Sequence, residues 1–582
     1  MPKCWRFQSP DPAAVQRLEA RGLDPIVARI LVLRGIKTPE EAERFLEPKL
    51  THLLDPEELP GCTEAAELLL RALREGKQIT VYGDYDVDGI TATAILCRCL
   101  RLLGGKVETY VPSRFEEGYG LNQAAIESLA RSGTQFLVTV DCGIASAAEV
   151  ELARQLGMAV VVTDHHSLPP QLPPADALVH PGLNSCGGNY SELSGAGVAF
   201  KLAWQLCRLA AKAHRLPEQF REFLLHATGL AAIGTIGDVV SLRGENRVLV
   251  HCGLHALARQ PFLGIQALLE AAGIPPIQPR DSEKIAFQIA PRLNAAGRLS
   301  HANLALELLL TDSPLRARQV AEELQTLNRE RQFLEQKIAQ DCWRRFYEEG
   351  WENAPAVVLD SDQWHPGVIG IVAGRMAETL QRPVVLIASD PERARPAIGS
   401  ARAGSAFNVF AAVSSCQELL RTFGGHSGAA GFTLEPHFIP SFREKFLAFA
   451  AEIGSETVKA EPLTVEAEVP LGTLVPSVVA QLEKIGPFGH GNPRPILAAA
   501  QVHLAGPPQP CGPGGQHLQL TLGQQGARLR AVAFKRVHWL EELASHAGPI
   551  DIAFHPVLDE YGGERRVKLH LVDWQASTLD SE

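Results

Sequence analysis

Carboxylates and imidazoles recur in four ordered clusters along this chain, a set that suits a divalent metal ion. Asp84, Asp86 and Asp88 alternate within Gly83-Asp84-Tyr85-Asp86-Val87-Asp88-Gly89. Asp141 opens Asp141-Cys142-Gly143, His165 and His166 follow Asp164, and Asp238 stands in Gly237-Asp238-Val239-Val240. Hard or borderline cations such as Mn or Mg take ligands of these kinds. Were the first cluster extended, its three carboxylates would face one side, and three anions on one face repel unless a cation holds them. The plainer reading is a solvated turn and an N-capped helix. Asp141 and Asp238, each taken alone, read as well as helix caps. Adjacent side chains point apart, so His165 and His166 are expected to divide their work, one on metal and the other on substrate or a supporting partner.

A second group of residues suits phosphate. Gly425, His426, Ser427 and Gly428 lie in a run of glycine and small residues that lets backbone N–H groups approach an anion, or simply makes a packing turn. Ser400, Arg402 and Arg375 make a phosphate pocket near it more plausible. Arg292 and Arg298 flank small residues in Arg292-Leu293-Asn294-Ala295-Ala296-Gly297-Arg298, a phosphate clamp or a basic helix entry.

The elements that must position these groups are legible as well. Three of the four clusters directly follow strand-like runs, at residues 78–82, 136–140 and 158–163. Helical stretches separate them, which implies a parallel sheet covered on both faces. Parallel strands bring their carboxyl ends to one edge, where open α/β sheets bind ligands. Asp312-Ser313-Pro314 is a strong helix start. The apolar stripe after it runs through Leu324 and Ile338 to Phe346, with Gly350 as a stop, so one long helix is expected as an interdomain connector. A second α/β unit begins near residue 355, and from about residue 462 short alternating runs suggest a small β-barrel or sandwich.

Composition narrows the field. At 582 residues the chain is too long for one core. Fifty-five basic against sixty-six acidic residues leave a net charge of -11, unlike a nonspecific DNA coater, although a local basic groove remains possible. Eleven scattered cysteines without a CxxC pair fit a reduced, cytoplasmic setting. No apolar h-region follows the first residues, and no apolar run reaches the ~18 residues of a membrane span. No GxxxxGK[ST] loop occurs, which argues against ATP-driven translocation.

The motifs together resemble the DHH phosphoesterase family, and within it the bacterial single-strand exonucleases. They are GDYDVDG at 83–89, DCG at 141–143, DHH at 164–166, GDVV at 237–240, APRLNAAGR at 290–298, WHPGVIGIVAGR at 364–375, GGHSGAAGF at 424–432 and GPFGHGNPRP at 486–495. The resemblance implies two α/β domains (DHH and DHH-associated) joined by a long helix, plus a C-terminal OB-type β-barrel. Expected boundaries are an N-terminal lead at 1–60, the catalytic domain at 61–270, the connector at 271–350, the substrate-binding domain at 351–460 and the OB-fold at 461–575. It also implies two divalent ions, Mn or Mg, on Asp84, Asp86, Asp88, Asp141, His165 and Asp238. Which of the first three aspartates holds which ion stays open. By the same resemblance His166 contacts the scissile phosphate, Arg114 and Arg298 hold a 5′-terminal phosphate, and His426 belongs to a nucleotide-binding loop. The implied activity is 5′→3′ hydrolysis of single-stranded DNA to 5′-mononucleotides in repair and recombination. A single-strand-binding protein and a helicase are the implied partners, with a monomeric chain. The alternatives are a phosphodiesterase of short oligonucleotides or cyclic dinucleotides, and a noncatalytic single-strand-binding scaffold.

Overall fold

The computed structural model describes residues 4–577 except 115–116, 119, 184–191, 212–214, 391, 393–394, 405–406, 454–461 and 562–563. The chain forms two compact units, Met1–Ala290 with Pro462–Glu582, and Pro291–Glu461. The stretch 271–350, expected as a connector, is divided between them. The domain boundary expected at residue 460 falls outside the described residues.

In the first unit, β1 (Ile79–Gly83), β2 (Val107–Tyr110), β3 (Phe136–Val140), β4 (Ala159–Thr163) and β5 (Ala177–Val179) form one sheet in the order β2-β1-β3-β4-β5. Every pairing is parallel. β1 and β3 are buried along their whole length, as their unbroken apolar runs require when helices cover both faces. The strand order reverses direction between β1 and β3, and the crevice outside that pair is where such sheets take ligands. Helix α1 (Val87–Leu102) leaves β1 and packs on α2 (Gly195–Ala211) and α3 (Glu218–Gly237), and α4 (Gly244–Arg259) packs on α3.

The expected barrel is present in the same unit. Strands at Leu497–Leu504, Ile550–Tyr561, Glu564–Ala576, Ala527–Ala533 and His517–Gln524 pair in that order, and Leu497–Leu504 also pairs with His517–Gln524, which closes the sheet. The short helices of the first sixty residues share its core: Leu18, Val27 and Leu31 pack in one apolar cluster with Leu497, Leu520 and Phe554. The strand Trp5–Phe7 pairs in parallel with Leu463–Val465, and Trp5 Nε1 donates to Asp573 Oδ2 at 2.9 Å.

In the second unit, helix α5 (Pro314–Glu348) begins as its sequence predicts. Ser313 accepts from the Arg316 N–H and Pro314 occupies the first turn. Gly350 follows its end at φ 74°. Expected as a connector, it packs within this unit on α6 (Pro366–Leu380). The sheet contains β6 (Val357–Ser361), β7 (Val384–Ala388), β8 (Ala397–Arg402), β9 (Leu420–His426) and β10 (Ala429–Leu434), ordered β9-β10-β8-β7-β6. Only β6 and β7 pair in parallel. The glycine-rich run 424–431, expected as a turn, is instead a hairpin of two strands with Ser427 and Gly428 at its tip. Glycine is needed within it: a Cβ on Gly425, at φ 141°, would meet the Ala429 carbonyl.

Candidate metal centre

β1 ends at Gly83, and the chain turns at once into α1. Asp86 is the N-cap of that helix, its Oδ1 accepting from the N–H groups of Asp88 (2.9 Å) and Gly89 (3.1 Å). The first cluster is therefore not extended. Asp84 leaves the strand end, Asp86 the cap and Asp88 the first helical turn. Asp88 is fully buried and accepts from Gly195 N at 2.6 Å and Ala196 N at 2.9 Å, at the positive N-terminal end of α2. Glycine permits this approach, because a Cβ on Gly195 would overlap the Asp141 carboxylate and one on Gly234 the Asp88 carboxylate.

Asp141, just past β3, holds a left-handed φ of 62°, which aspartate tolerates better than most residues. The Nε2 of His165 lies 3.0 Å from Asp141 Oδ1, 3.6 Å from Asp238 Oδ2 and 3.7 Å from Asp88 Oδ2. Three sets of ligand atoms each fall within 4.8 Å of one another: Asp84, Asp86 and Asp141; Asp88, His165 and Asp238; and Asp141, His165 and His166. All six expected ligands are thus gathered at the switch point of the sheet, with Asp141 and His165 each in two sets.

The electrostatics of this cluster call for a cation. Burial, and then the neighbouring carboxylates, push Asp84 and Asp141 well above the usual carboxylate range, Asp88 to about 7 and Asp238 to about 8. His165 offers no compensating charge. Burial and the neighbouring His166 lower it to about 4, so its ring is neutral and free to act as a ligand. Asp84 Oδ1, Asp141 Oδ1 and His165 Nε2 are buried without a hydrogen-bond partner among the described residues. Such groups are costly unless something pairs with them, and a divalent ion fits these donors.

His165 and His166 were expected to point apart, but their rings lie 4.5 Å apart at 53°. The cause is Asp164, whose role the sequence reading missed. One of its carboxylate oxygens takes the N–H groups of both histidines, at 2.7 and 3.1 Å, and also meets His166 Nδ1 at 2.7 Å. The other takes Ile144 N at 3.0 Å. Burial alone would raise this carboxyl, but these partners bring it to about 2. Burial opposes protonation of His166, but Asp164 outweighs it and raises the ring to about 9. His180 was also missed. It accepts from Gly182 N through Nδ1 at 2.9 Å, so its Nε2–H donates to the His166 carbonyl at 2.7 Å. Its position directly after β5 was the available signal.

The phosphate candidates are distributed otherwise. Arg114 lies in the first unit, 5.2 Å over the Tyr85 ring. The rest belong to the second unit. Arg292 donates to Gln325 at 2.7 Å and Arg298 to the Gly367 carbonyl at 3.2 Å, so these two bonds lead to different neighbours. Ser400 accepts from Arg402 at 2.9 Å over Gly370, where a Cβ would crowd both. Arg375 pairs with Glu335 of α5 rather than with these two. Gly425 and His426 end the exposed edge strand β9, and Ser427 and Gly428 form the turn to β10. A strand edge, not a nest of converging N–H groups, is what this segment presents.

Comparison with known proteins agrees with this arrangement. The DHH family N-terminal domain matches residues 78–229, the DHHA1 domain 353–452 and the RecJ OB domain 465–573. Fold and site together define a DHH-family protein. The chain is 35% identical to the single-stranded-DNA-specific exonuclease RecJ of Bacillus subtilis, over 99% of this chain and 72% of that one. It is 37% identical to the Thermus thermophilus RecJ, over 90% of this chain and 73% of that one. The crystal structure of Thermus thermophilus RecJ in complex with Mn2+ superposes with a TM-score of 0.81 at 32% identity, covering 99% of this chain and 80% of that one. The corresponding Mg2+ complex gives 0.75 at 30%, covering 99% and 79%. The chain belongs to the RecJ family.

Proposed function

We propose that this protein is a metal-dependent 5′→3′ exonuclease that degrades single-stranded DNA to 5′-mononucleotides in repair and recombination. The observation that carries the reading is the set of buried ligand atoms on Asp84, Asp141 and His165 at the switch point of the sheet, without a hydrogen-bond partner among the described residues. Relatives named as single-stranded-DNA-specific exonucleases support the substrate. Asp84, Asp86 and Asp141 would hold one divalent ion, Mn or Mg, and Asp88, His165 and Asp238 the other. Two such ions, when bound, supply a water acidified toward hydroxide and charge stabilisation at the attacked phosphate. The N–H groups at the start of α2 favour the ionised form of Asp88 against the burial that raises it, and a bound cation would complete that bias. His166, with Nδ1 tied to Asp164, presents Nε2 to a phosphate oxygen. End-labelled DNA incubated with Mn2+ should release mononucleotides from the 5′ end, and chelator should stop the release. Degradation from 3′ ends, or of circular strands, would defeat the reading.

A single-strand-binding protein and a helicase as partners, a monomeric chain and a cytoplasmic setting belong to the same proposal. The setting is supported by cysteines that are all free thiols among the described residues. No helix among the described residues is long and apolar enough to cross a membrane.

Two predictions arise here. Phe534 is 49% exposed and its ring stands between those of His517 (5.2 Å) and His570 (4.9 Å) on the barrel. A stacked base is worth ~1–3 kcal/mol. Phe534→Ala should weaken binding of long single strands by about that much and leave cleavage of very short ones unchanged. Equal binding of long strands would remove the barrel from strand capture. Removing everything after residue 460 is a poorer test, because the first sixty residues would lose their core partners. The second prediction concerns the strand end. A terminal phosphate carries an extra charge near neutral pH, and guanidinium forks suit it. Arg298→Ala should reduce the preference for 5′-phosphate over 5′-hydroxyl more than it slows the 5′-hydroxyl strand. A preserved preference in both Arg298→Ala and Arg114→Ala would move end reading toward Ser400 and Arg402.

A further inference from the structure

Glu117 is not among the candidate metal ligands, yet its carboxylate is the meeting point of the loop that carries Arg114. That loop joins β2 to the helix Gln123–Arg131. Oε1 of Glu117 accepts from the Tyr110 hydroxyl at 2.5 Å and from Asn122 Nδ2 at 3.1 Å. Oε2 accepts from the Ser113 N–H at 2.6 Å. The backbone makes the return bond, since the Ser113 carbonyl accepts from Glu117 N at 2.9 Å and from Gly118 N at 3.2 Å. Ser113 and Glu117 thereby close a short turn on themselves, and Arg114 is the first residue inside it. Hydrogen bonds to a carboxylate are the stronger kind, and here three donors fix one carboxylate.

The turn is hung from the end of the sheet. Tyr110 closes β2 and pairs in register with Tyr82 of β1, two residues before Asp84. The two rings stack at 5.0 Å and 26°. Tyr82 is fully buried and donates its hydroxyl to the Gly120 carbonyl at 3.0 Å. Asn122 serves two elements at once. Its Oδ1 caps the helix by accepting from Ala125 N at 2.8 Å, and its amide N–H groups reach Glu117 and, at 3.4 Å, the Tyr82 hydroxyl. Burial, and then Glu117 itself, raises the Tyr110 phenol above its ordinary range, so it stays a donor. The guanidinium carried by this turn lies 5.2 Å over the ring of Tyr85, which stands between Asp84 and Asp86 in the chain. One strand end thus supplies metal-ligand candidates and the supports of the arginine from adjacent positions.

We infer that Glu117 is a positioning residue for reading the 5′ end: it sets where Arg114 stands relative to the metal centre, and so where a terminal phosphate is held. The inference rests on the end-reading role proposed for Arg114. An arginine on a loose loop still attracts phosphate, but not at one fixed distance from the groups that cleave, and a misplacement of about 1 Å can cost a hundredfold in rate. Glu117 acts through Arg114 and is assigned no contact with phosphate or metal.

The test is a double-mutant cycle in the full chain. The quantity read is the ratio of kcat/KM for a 5′-phosphoryl over a 5′-hydroxyl strand. The ratio of affinities for 3′-labelled 5′-phosphoryl and 5′-hydroxyl hexathymidylate in chelator is a second readout that needs no turnover. Glu117→Gln sets an amide N–H₂ among three donors and should reduce both ratios by roughly fivefold or more, a larger change than its slowing of the 5′-hydroxyl strand. Tyr110→Phe keeps the ring stack, removes one donor and should move both ratios the same way by less. In the Arg114→Ala background, Glu117→Gln should change neither ratio further. The half-saturating Mn2+ concentration should stay at the wild-type value in both single variants, which also checks their folding. Ratios preserved in folded Glu117→Gln and Tyr110→Phe would overturn the inference. So would a loss that persists in the Arg114→Ala background, or a rise in Mn2+ demand matching the lost preference, which would mark general damage to the sheet edge. Equal treatment of the two ends by the wild type would overturn it as well, because no end reading would exist to be positioned, while 5′→3′ release of mononucleotides would leave the proposed function standing.

Discussion

Asp141→Asn should lose cleavage by roughly a thousandfold, on the order of what removal of a principal electrostatic group costs a transition state. Asp141 belongs to two of the three sets of converging ligand atoms, so no neighbour can replace it. Asparagine is the informative substitution. Its backbone tolerates the left-handed φ of 62° that this position requires, and its volume is the same. It also relieves a crowded set of buried carboxylates, so thermal stability in chelator should not fall below that of the wild type. Asp141→Ala should lose the same activity and, in addition, about 1 kcal/mol of stability, because a Cβ without a compensating polar group is disfavoured there. Turnover near wild type in a folded Asp141→Asn protein would remove Asp141 from the proposed centre.

Asp164→Asn should reduce activity by roughly 10–100-fold, with the half-saturating Mn2+ concentration rising by a similar factor. Asp164 accepts from three backbone N–H groups and from His166, and an amide has one acceptor oxygen and two donors for the same places. The segment that carries both histidines would lose its fixed shape, which displaces a metal ligand and a phosphate contact together. KM for a long strand should change little, because strand capture lies elsewhere. An unchanged Mn2+ dependence in the folded variant would mean that Asp164 does not position His165.

The candidate centre was largely legible because every member follows a strand or closes a helix, and parallel strands bring such positions to one edge without further information. The local path was less so. Alternation within Asp84-Tyr85-Asp86-Val87-Asp88 is compatible with a strand. The capping power of Asp86 decides for a helix, and tertiary contact with Gly195 then orients Asp88. The two histidines were misread for a related reason, since the hydrogen bonds of Asp164 override the separation of adjacent side chains. The glycine-rich hairpin was read as a turn because glycine lowers strand propensity. Yet Phe432 lies against Gly399 on the neighbouring strand, and cross-strand packing of this kind outweighs propensity. Nothing in the first sixty residues signals that their apolar faces are completed by strands more than four hundred positions further on. Periodicity reports that a face is apolar, not what covers it.

That last pairing sets a timetable for birth on the ribosome. The strand Trp5–Phe7 is synthesised more than four hundred and fifty residues before its mate Leu463–Val465, and the acceptor of the Trp5 indole is residue 573. At ~5–20 residues per second the opening segment waits roughly half a minute to two minutes for its neighbours. During that interval the intervening unit, Pro291–Glu461, can assemble its own apolar clusters, whose described members lie within it. Nascent chains halted before residue 462 should therefore protect the inner unit from protease while leaving the first forty residues, whose apolar faces await the later strands, open to cutting.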